Sequence, residues 1–490
     1  MNAPWNDTDP KTQLDDPNTT HETGDPMDST PQDLAAAPLN SSGDLTRRNF
    51  VKSGALAGAG LVFGGLAAEN PGLWALTSQD TSGHADELTV AIIGPGSQGR
   101  NLLTKCLKIP GVRFVAVCDI WPYHQRYSAN ILKKYDQEVS VYSDYQEMLE
   151  KEANLDAVII SGPDWVHAEQ TNACLAAGKH VYCEKEMSNS IDGARSMVET
   201  ARTTGKLLQI GHQRRSNPRY WHMMKLIEKD KVLGRITNVF GQWNRHGALE
   251  LGWPKKHTLD EATLAKHGYA SMEHFRNWRW YRKYSGGIMA DLGSHQVDIF
   301  NWVLQCPPSA IIASGGVDYY TGKDREWYDN VISVYEYDTP GGKVRGAYQV
   351  LNTTSHGDFY ETFMGDEGSM TISEDPRKGH LFREQTAKRR EWEDESETVA
   401  KLGKDAIELK IGETLTSDGK KDPEGQRLLA ESKKPPHQLH LENFFNAIRT
   451  GTPLSCPPEV GFETAVSVLK ANEAVEAQRR LTFDAKEFKA

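Results

Sequence analysis

Cysteine is scarce: six in 490 residues, at positions 106, 118, 174, 183, 306 and 456, with no CxxC pair. That excludes a disulfide framework and a thiolate zinc site of the usual spacing. Cys118 and Cys183 fall in strand-like apolar runs, and Cys106 and Cys174 in helix-like ones, as small buried hydrophobes do. A basic excess is also missing. Lys and Arg number 56 against 67 Asp and Glu, a net charge of −11, so there is no footprint for nucleic-acid phosphates. Histidines are present but not paired for a metal: His212, His222, His246, His257, His267 and His274 form no HxxxH. Asp291 and His295 alone are too few ligands, so no metal is expected. The apolar stretch at 53–68 is too short and too glycine-rich to read as a membrane span.

The negative charge is uneven. Residues 1–46 hold nine acids and one lysine, with few large apolar groups, and are expected to be a disordered acidic leader. "TRRNFVK" (46–52), with Arg47 and Arg48, then precedes "SGALAGAGLVFGGLAA" (53–68). Paired arginines before a weakly apolar run match a twin-arginine signal at 47–68. The expectation is passage through the export machinery to a periplasmic or extracytoplasmic location, with no membrane span kept after processing. Residues 69–87 are a linker. A disulfide-poor chain with such a tag suits folding, and cofactor loading, before export.

A dinucleotide site follows. "LTVAII" (88–93) is a β-branched apolar run. "GPGSQGR" then carries Gly94, Gly96 and Gly99 in GxGxxG spacing, and "NLLTKCLKI" has helical periodicity. The glycines thus lie between strand and helix, where Gly94 allows a tight turn, Gly96 close backbone approach and Gly99 helix–strand packing. The helix N-terminus, from Ser97 and Gln98, offers N–H groups to a pyrophosphate. A second strand, "RFVAVCD", ends in Asp119, placed for ribose hydroxyls and repelling a 2′-phosphate, which favours NAD over NADP. Helix and strand then alternate to about Gly211, which implies a parallel doubly wound sheet.

"AIIGPGSQGR", "VAVCDI", "DAVIISGPDWVHAE", "AAGKHVYCEKEMS", "GHQRRSNPRY", "SGGIMADLGSHQVDIFNWVL" and the C-terminal "LENFFNAIRTGTPLSCPPEVGFETAVSVLKANEA" together resemble the Gfo/Idh/MocA oxidoreductases from about residue 88 onward. The resemblance implies a Rossmann domain followed by an α+β domain with an open, mostly antiparallel sheet, within an overall α/β fold. It also implies NAD(H) or NADP(H) chemistry on sugars, polyols or related alcohols, and homo-oligomers. The domains expected are Rossmann 88–211, substrate and oligomerisation domain 212–375, a charged surface insertion 376–435, and a helical segment 436–490 packing back on the core.

The resemblance places Lys185 near the nicotinamide and the reacting hydroxyl, and Asp291 and His295 as a catalytic pair. The family strand ends Glu-Lys-Pro, whereas here Glu186 follows Lys185. An unperturbed lysine, with a pKa of about 10.4, is a poor base at neutral pH. Between Glu184 and Glu186, Lys185 is better suited to polarise a carbonyl or orient a hydroxyl. His295 is the better base for a hydroxyl proton. Asp291, four residues earlier on one helix face, either orients the imidazole or bonds a substrate hydroxyl. Pro163 and His167 border the nicotinamide by the same resemblance. Glu184, Gln213 and Arg215 complete the cofactor-facing set, Arg215 being equally open to a surface ion pair. "FRNWRWYRKY" (275–284) has two readings, interface packing or stacking on sugar faces.

The leading function is transfer of a hydride between a sugar, cyclitol or glycoside hydroxyl and a tightly bound NAD. The alternatives are an NAD-dependent glycosidase working by transient oxidation, elimination and reduction, and a non-catalytic dinucleotide-binding protein.

Overall fold

The computed structural model describes residues 87–247, 250–322, 324–388, 398–401, 404–411 and 422–490. The leader, Arg47, Arg48 and the 53–68 run lie outside the described residues.

Six short strands form the first sheet: β1 (Leu88–Ile93), β2 (Val112–Cys118), β3 (Ser140–Tyr142), β4 (Ala157–Ile160), β5 (His180–Cys183) and β6 (Leu208–Ile210). All pairings are parallel and the order is β3-β2-β1-β4-β5-β6. That order reverses between β1 and β4, the switch point where such sheets hold ligands beyond their strand ends. β4 is buried throughout, and β1 nearly so, as expected of strands covered on both faces.

Helices α1 (Ser97–Cys106), α2 (Pro122–Lys133), α3 (Tyr145–Lys151), α4 (Asp164–Ala176) and α5 (Ile191–Thr204) make the crossovers. Their ends follow local chemistry. Pro122 occupies the first turn of α2, where its missing N–H costs nothing. The Asp144 carboxylate accepts from Gln146 and Glu147 N–H at the start of α3. Ser190 caps α5, which stops at Gly205 in the left-handed region, φ +65°.

The second sheet has ten strands. In spatial order they are Thr398–Lys401, Lys404–Glu408, His380–Arg383, Gly368–Ile372, Phe359–Gly365, Ile236–Asn244, Gly342–Leu351, Asn330–Thr339, Ala310–Gly316 and Leu481–Thr482. One pair, Ile236–Asn244 with Gly342–Leu351, is parallel and the others are antiparallel. The sheet is therefore open and mostly antiparallel. The 376–435 segment is more than a surface insertion: three of its short stretches extend one sheet edge. Charged residues on an edge strand blunt further pairing, which is why this stretch looks like loop in sequence.

Two C-terminal helices tie the layers together. Pro436–Thr450 sends Leu441, Phe444 and Phe445 into the apolar cluster on one face of the parallel sheet. Pro458–Ala477 contributes Phe462, Ala465 and Val466 to the cluster on the other face. Further along, its Val468, Leu469, Ala471, Ala474 and Val475 enter the core of the second sheet. Gly461 of this helix meets β6 so closely that a Cβ would lie 2.6 Å from Ile210 Cγ1. The four cysteines expected in these cores, Cys106, Cys118, Cys174 and Cys183, are buried, as is Cys456; Cys306 is half-buried, and all six are free thiols.

Candidate active site

The glycine turn has the shape a pyrophosphate needs. Gly94 sits at φ +74°, and a Cβ there would meet Gly162 N at 2.7 Å. A Cβ on Gly99 would meet Ser161 Oγ at 2.5 Å and Gly94 O at 2.8 Å, so α1 can lie this close to the strands only with glycine at that position. Around Gly96, by contrast, the nearest side-chain atom to a notional Cβ is His124 Cε1 at 3.7 Å. Gly96 is also the N-cap of α1 and supplies no side-chain cap, leaving the first-turn N–H groups for an anion. These features fit a dinucleotide diphosphate.

Asp119 ends β2 as expected. Its Oδ1 accepts from Trp121 N at 2.8 Å, and Oδ2 lies 3.0 Å from His124 Nδ1. The carboxylate is thereby held in one orientation, with lone pairs left for ribose hydroxyls. Gln98 turns away from the phosphate position: its amide donates to Glu184 Oε1 at 3.1 Å and joins the start of α1 to the end of β5. Glu184 is thus a buried support for that turn, and burial raises its carboxyl pKa.

Beyond β5 the Lys185–Glu186 peptide bond is cis. Lys185 leaves the strand end and reaches the second domain. Its ammonium donates to the Asp291 carbonyl and lies 3.5 Å from Asp291 Oδ1. Asp291 sits in a π-helical turn, Met289–Gly293, that runs directly into the helix Ser294–Leu304. π-turns recur at functional positions because they displace one side chain from the regular helix face. Arg279 donates from Nε to Asp291 Oδ1 at 3.1 Å, and Arg245 Nη2 approaches Oδ2 at 3.9 Å. Burial works to raise the Asp291 pKa, but Arg279, Lys185 and Arg245 overcome it and hold the carboxyl well below the usual range. Asp291 therefore serves the surrounding cations, which corrects the idea that it orients the imidazole of His295.

His295 follows one helical turn later, 8% exposed, with its ring 5.2 Å from that of Trp243. Its Nδ1 is buried without a hydrogen-bond partner. Burial first, then the charges of Lys185 and Arg214, push its pKa well below the ordinary value. The imidazole is neutral at pH 7 and available as an acceptor. Lys185, Asp291 and His295 thus converge where the parallel sheet meets the second domain.

Other expected residues have different work. Pro163 is the residue before α4, and Asp164 behind it accepts from Gly286 N at 3.0 Å, linking the two domains. His167 is turned inward: Nδ1 lies 2.8 Å from Glu186 O and Nε2 2.9 Å from Gly162 O. Burial pushes its pKa down to about 4, so the ring is neutral and donates to one of these two carbonyls. It is a brace under the strand-end loops, and the reading of His167 as a nicotinamide contact is corrected. Arg215 is likewise structural. Its Nε lies 2.9 and 3.0 Å from the two Asp298 oxygens, and its guanidinium covers Trp302. Gln213 faces Glu374 at 3.5 Å, away from the glycine turn. Both face the second domain because the 3-10 turn after β6 docks there. Glu186 is 2% exposed; its Oε1 accepts from Met187 N and burial raises its pKa to about 8. Mostly neutral at pH 7, it is not the flanking anion that the charge pattern implied.

Arg245 and Trp243 are site residues the sequence did not single out, and Arg279 belongs to the 275–284 segment that was read for stacking rather than for its charge. Arg245 is the residue after the strand Ile236–Asn244, as Lys185 follows β5 closely, and that shared strand-end position was the available signal. The "FRNWRWYRKY" segment mostly packs: Trp280, Tyr281 and Tyr284 join Trp121 in one buried aromatic cluster. Among the described residues no group of three or more His, Cys, Asp or Glu side chains has metal-binding geometry.

Two family models match this chain. Residues 88–212 match the oxidoreductase family, NAD-binding Rossmann fold, and residues 221–371 match the GFO/IDH/MocA C-terminal domain, together more than half the chain. The chain belongs to the Gfo/Idh/MocA oxidoreductase family. Inositol 2-dehydrogenase of Rubrobacter xylanophilus is 28% identical over 184 residues, 37% of this chain and 51% of that protein. The 1,5-anhydro-D-fructose reductase of Ensifer adhaerens is 30% identical over 187 residues, 38% of this chain and 48% of its own. The chain spans about half the length of these relatives. Levoglucosan dehydrogenase, solved with NADH, shares the fold with a TM-score of 0.59 at 17% identity, covering 81% of this chain and 100% of its own. This family's Rossmann domain binds NAD, in keeping with the glycine turn and Asp119.

Proposed function

We propose that this protein is an NAD-dependent oxidoreductase acting on a hydroxyl of a sugar, cyclitol or glycoside. The observation that carries the reading is the convergence of Lys185, Asp291 and His295 where the parallel sheet, with its dinucleotide turn, meets the second domain. Bound NAD supplies a hydride acceptor or donor. The chain's own residues do the rest. His295, neutral and with a free Nδ1, takes the hydroxyl proton during oxidation or returns it during reduction. Lys185, held by Asp291, polarises the same oxygen. Asp291 fixes the Lys185 ammonium through its carbonyl and carboxylate. The glycine turn, the α1 N-terminus and Asp119 hold the dinucleotide. The intact Lys185–Asp291–His295 group favours this over the glycosidase and the non-catalytic binder.

Export by the twin-arginine route, with NAD loaded beforehand, belongs to the same proposal and rests on Arg47, Arg48 and the run that follows. Homo-oligomerisation through the open sheet is supported by Ile312 and Ile332, about half exposed on neighbouring strands. The test is to release and quantify nucleotide from denatured protein, then follow reduced-nicotinamide absorbance over a panel of sugars and cyclitols. Lys185→Met is expected to lower kcat by about 100-fold or more while the nucleotide content stays the same. Full activity in that variant would remove Lys185 from the reaction.

A further inference from the structure

The charges around Asp291 do not balance, and the imbalance deepens the functional reading, on which it rests. Two other arginines of the interface are matched. Arg215 faces Asp298, and Arg214 faces both Glu361 and Glu374. At Asp291 three basic side chains, Lys185, Arg245 and Arg279, share one carboxylate. Three other carboxyls act on Lys185, and burial raises each of them: Glu186 to about 8, Asp164 to about 7 and Glu184 above its ordinary value, while Asp164 spends one oxygen on Gly286 N–H.

The arginines are also incompletely used. Arg245 Nε is buried with no hydrogen-bond partner, and among the described residues its one ion pair is the loose 3.9 Å approach to Asp291. Arg279 gives Asp291 its Nε and lies with its guanidinium carbon 4.2 Å from the Trp278 ring centroid. That stacking fixes the plane of the guanidinium. The Arg245 side chain is 25% exposed and that of Arg279 36%, against 13% for Lys185, so the arginines form the outer rim of the site. A buried Nε without a partner is costly unless a ligand satisfies it.

We infer that the substrate is an anionic sugar, whose carboxylate or phosphate is received by Arg245 and Arg279 while its reacting hydroxyl lies at Lys185 and His295. Two guanidiniums presented side by side suit planar, bidentate recognition of such a group. They also disfavour unsubstituted sugars, which would leave the cations without a counter-charge.

The test is calorimetric titration of the full protein, with and without added NAD, using glucuronate, galacturonate and glucose 6-phosphate. Glucuronamide, galacturonamide and glucose are the neutral counterparts. At least one anionic sugar is expected to bind tenfold or more tightly than its neutral counterpart, with Kd rising as salt is added. The carboxylate and phosphate arms identify which anion is preferred. In Arg245→Gln and Arg279→Gln the gap is expected to fall below threefold, and the Lys variants at the same positions to keep part of it. Melting temperature and NAD content check that each variant is folded. Equal binding of charged and neutral sugars, no binding of any anionic sugar, or a gap that survives in both Gln variants would overturn the inference. Absence of NAD binding would instead overturn the oxidoreductase reading, since the anion preference is also read without NAD.

Discussion

His295 carries its function in its surroundings. A histidine in water is half protonated near its ordinary pKa of about 6.5 and so a compromised base. Burial against Trp243 and the nearby charges of Lys185 and Arg214 hold it neutral well below that pH. The acid limb of kcat/KM is therefore expected below the ordinary histidine value in a stopped-flow or steady-state profile. A limb at the ordinary histidine value would mean that another group titrates. At this scale the sequence was informative where a motif ties residue to role. That Lys185, Asp291 and His295 share one place in the fold was legible from the strand-end EK and the DxGxH helix. His167 and Arg215 were not, because position beside a strand end does not say which way a side chain turns. In both cases a backbone carbonyl or a carboxylate inside the protein won the side chain.

Between β1 and α1 the chain has no spare room. Gly94→Ala puts a Cβ 2.7 Å from Gly162 N at a φ that side chains avoid, a cost of about 1–3 kcal/mol. The expected result is at least a tenfold rise in the Kd for NADH, measured by its fluorescence, with the far-ultraviolet circular dichroism unchanged. Wild-type affinity in Gly94→Ala would mean the turn does not carry the phosphates. The strand–glycine–helix unit was readable because its pattern is local: β-branched run, three spaced glycines, then helical periodicity. The edge strands at 398–401 and 404–408 were not, since each is only four or five residues long and gains strand character by pairing with the other and, through 407–408, with His380 and Leu381.

Across the whole molecule, buried histidines set the acid stability. Burial pushes His167, His212 and His222 from 6.5 to about 4, and His440 to about 3. A depressed folded-state pKa means that the unfolded chain takes up protons first. The stabilisation present above about pH 6.5 is thus lost as pH falls toward 4, about 3 kcal/mol for each histidine at 4. Asp164 and Glu186 act oppositely: their raised values favour the folded state as pH falls from about 8 to the ordinary carboxylate range. With His295 and His437 also lowered, six such histidines stand against five raised carboxyls (Asp164, Glu184, Glu186, Glu361 and Glu463), so the melting temperature is expected to drop between pH 6.5 and 4 in scanning calorimetry. His440→Gln is expected to flatten that slope, because His440 is wedged between Ser216 Oγ and Ile210 O. A melting temperature constant across the window would show that these rings do not control it.

The helices Pro436–Thr450 and Pro458–Ala477 have a temporal consequence. Leu441, Phe444, Phe445, Phe462 and Val466 seal the parallel sheet, yet they lie more than 200 residues downstream of its last strand. The ribosome delivers them long after β1 through β6, so a growing chain holds that sheet uncovered until both helices have emerged. Nucleotide capture accordingly waits for those helices, and holdase chaperones have their longest opportunity on the nascent sheet.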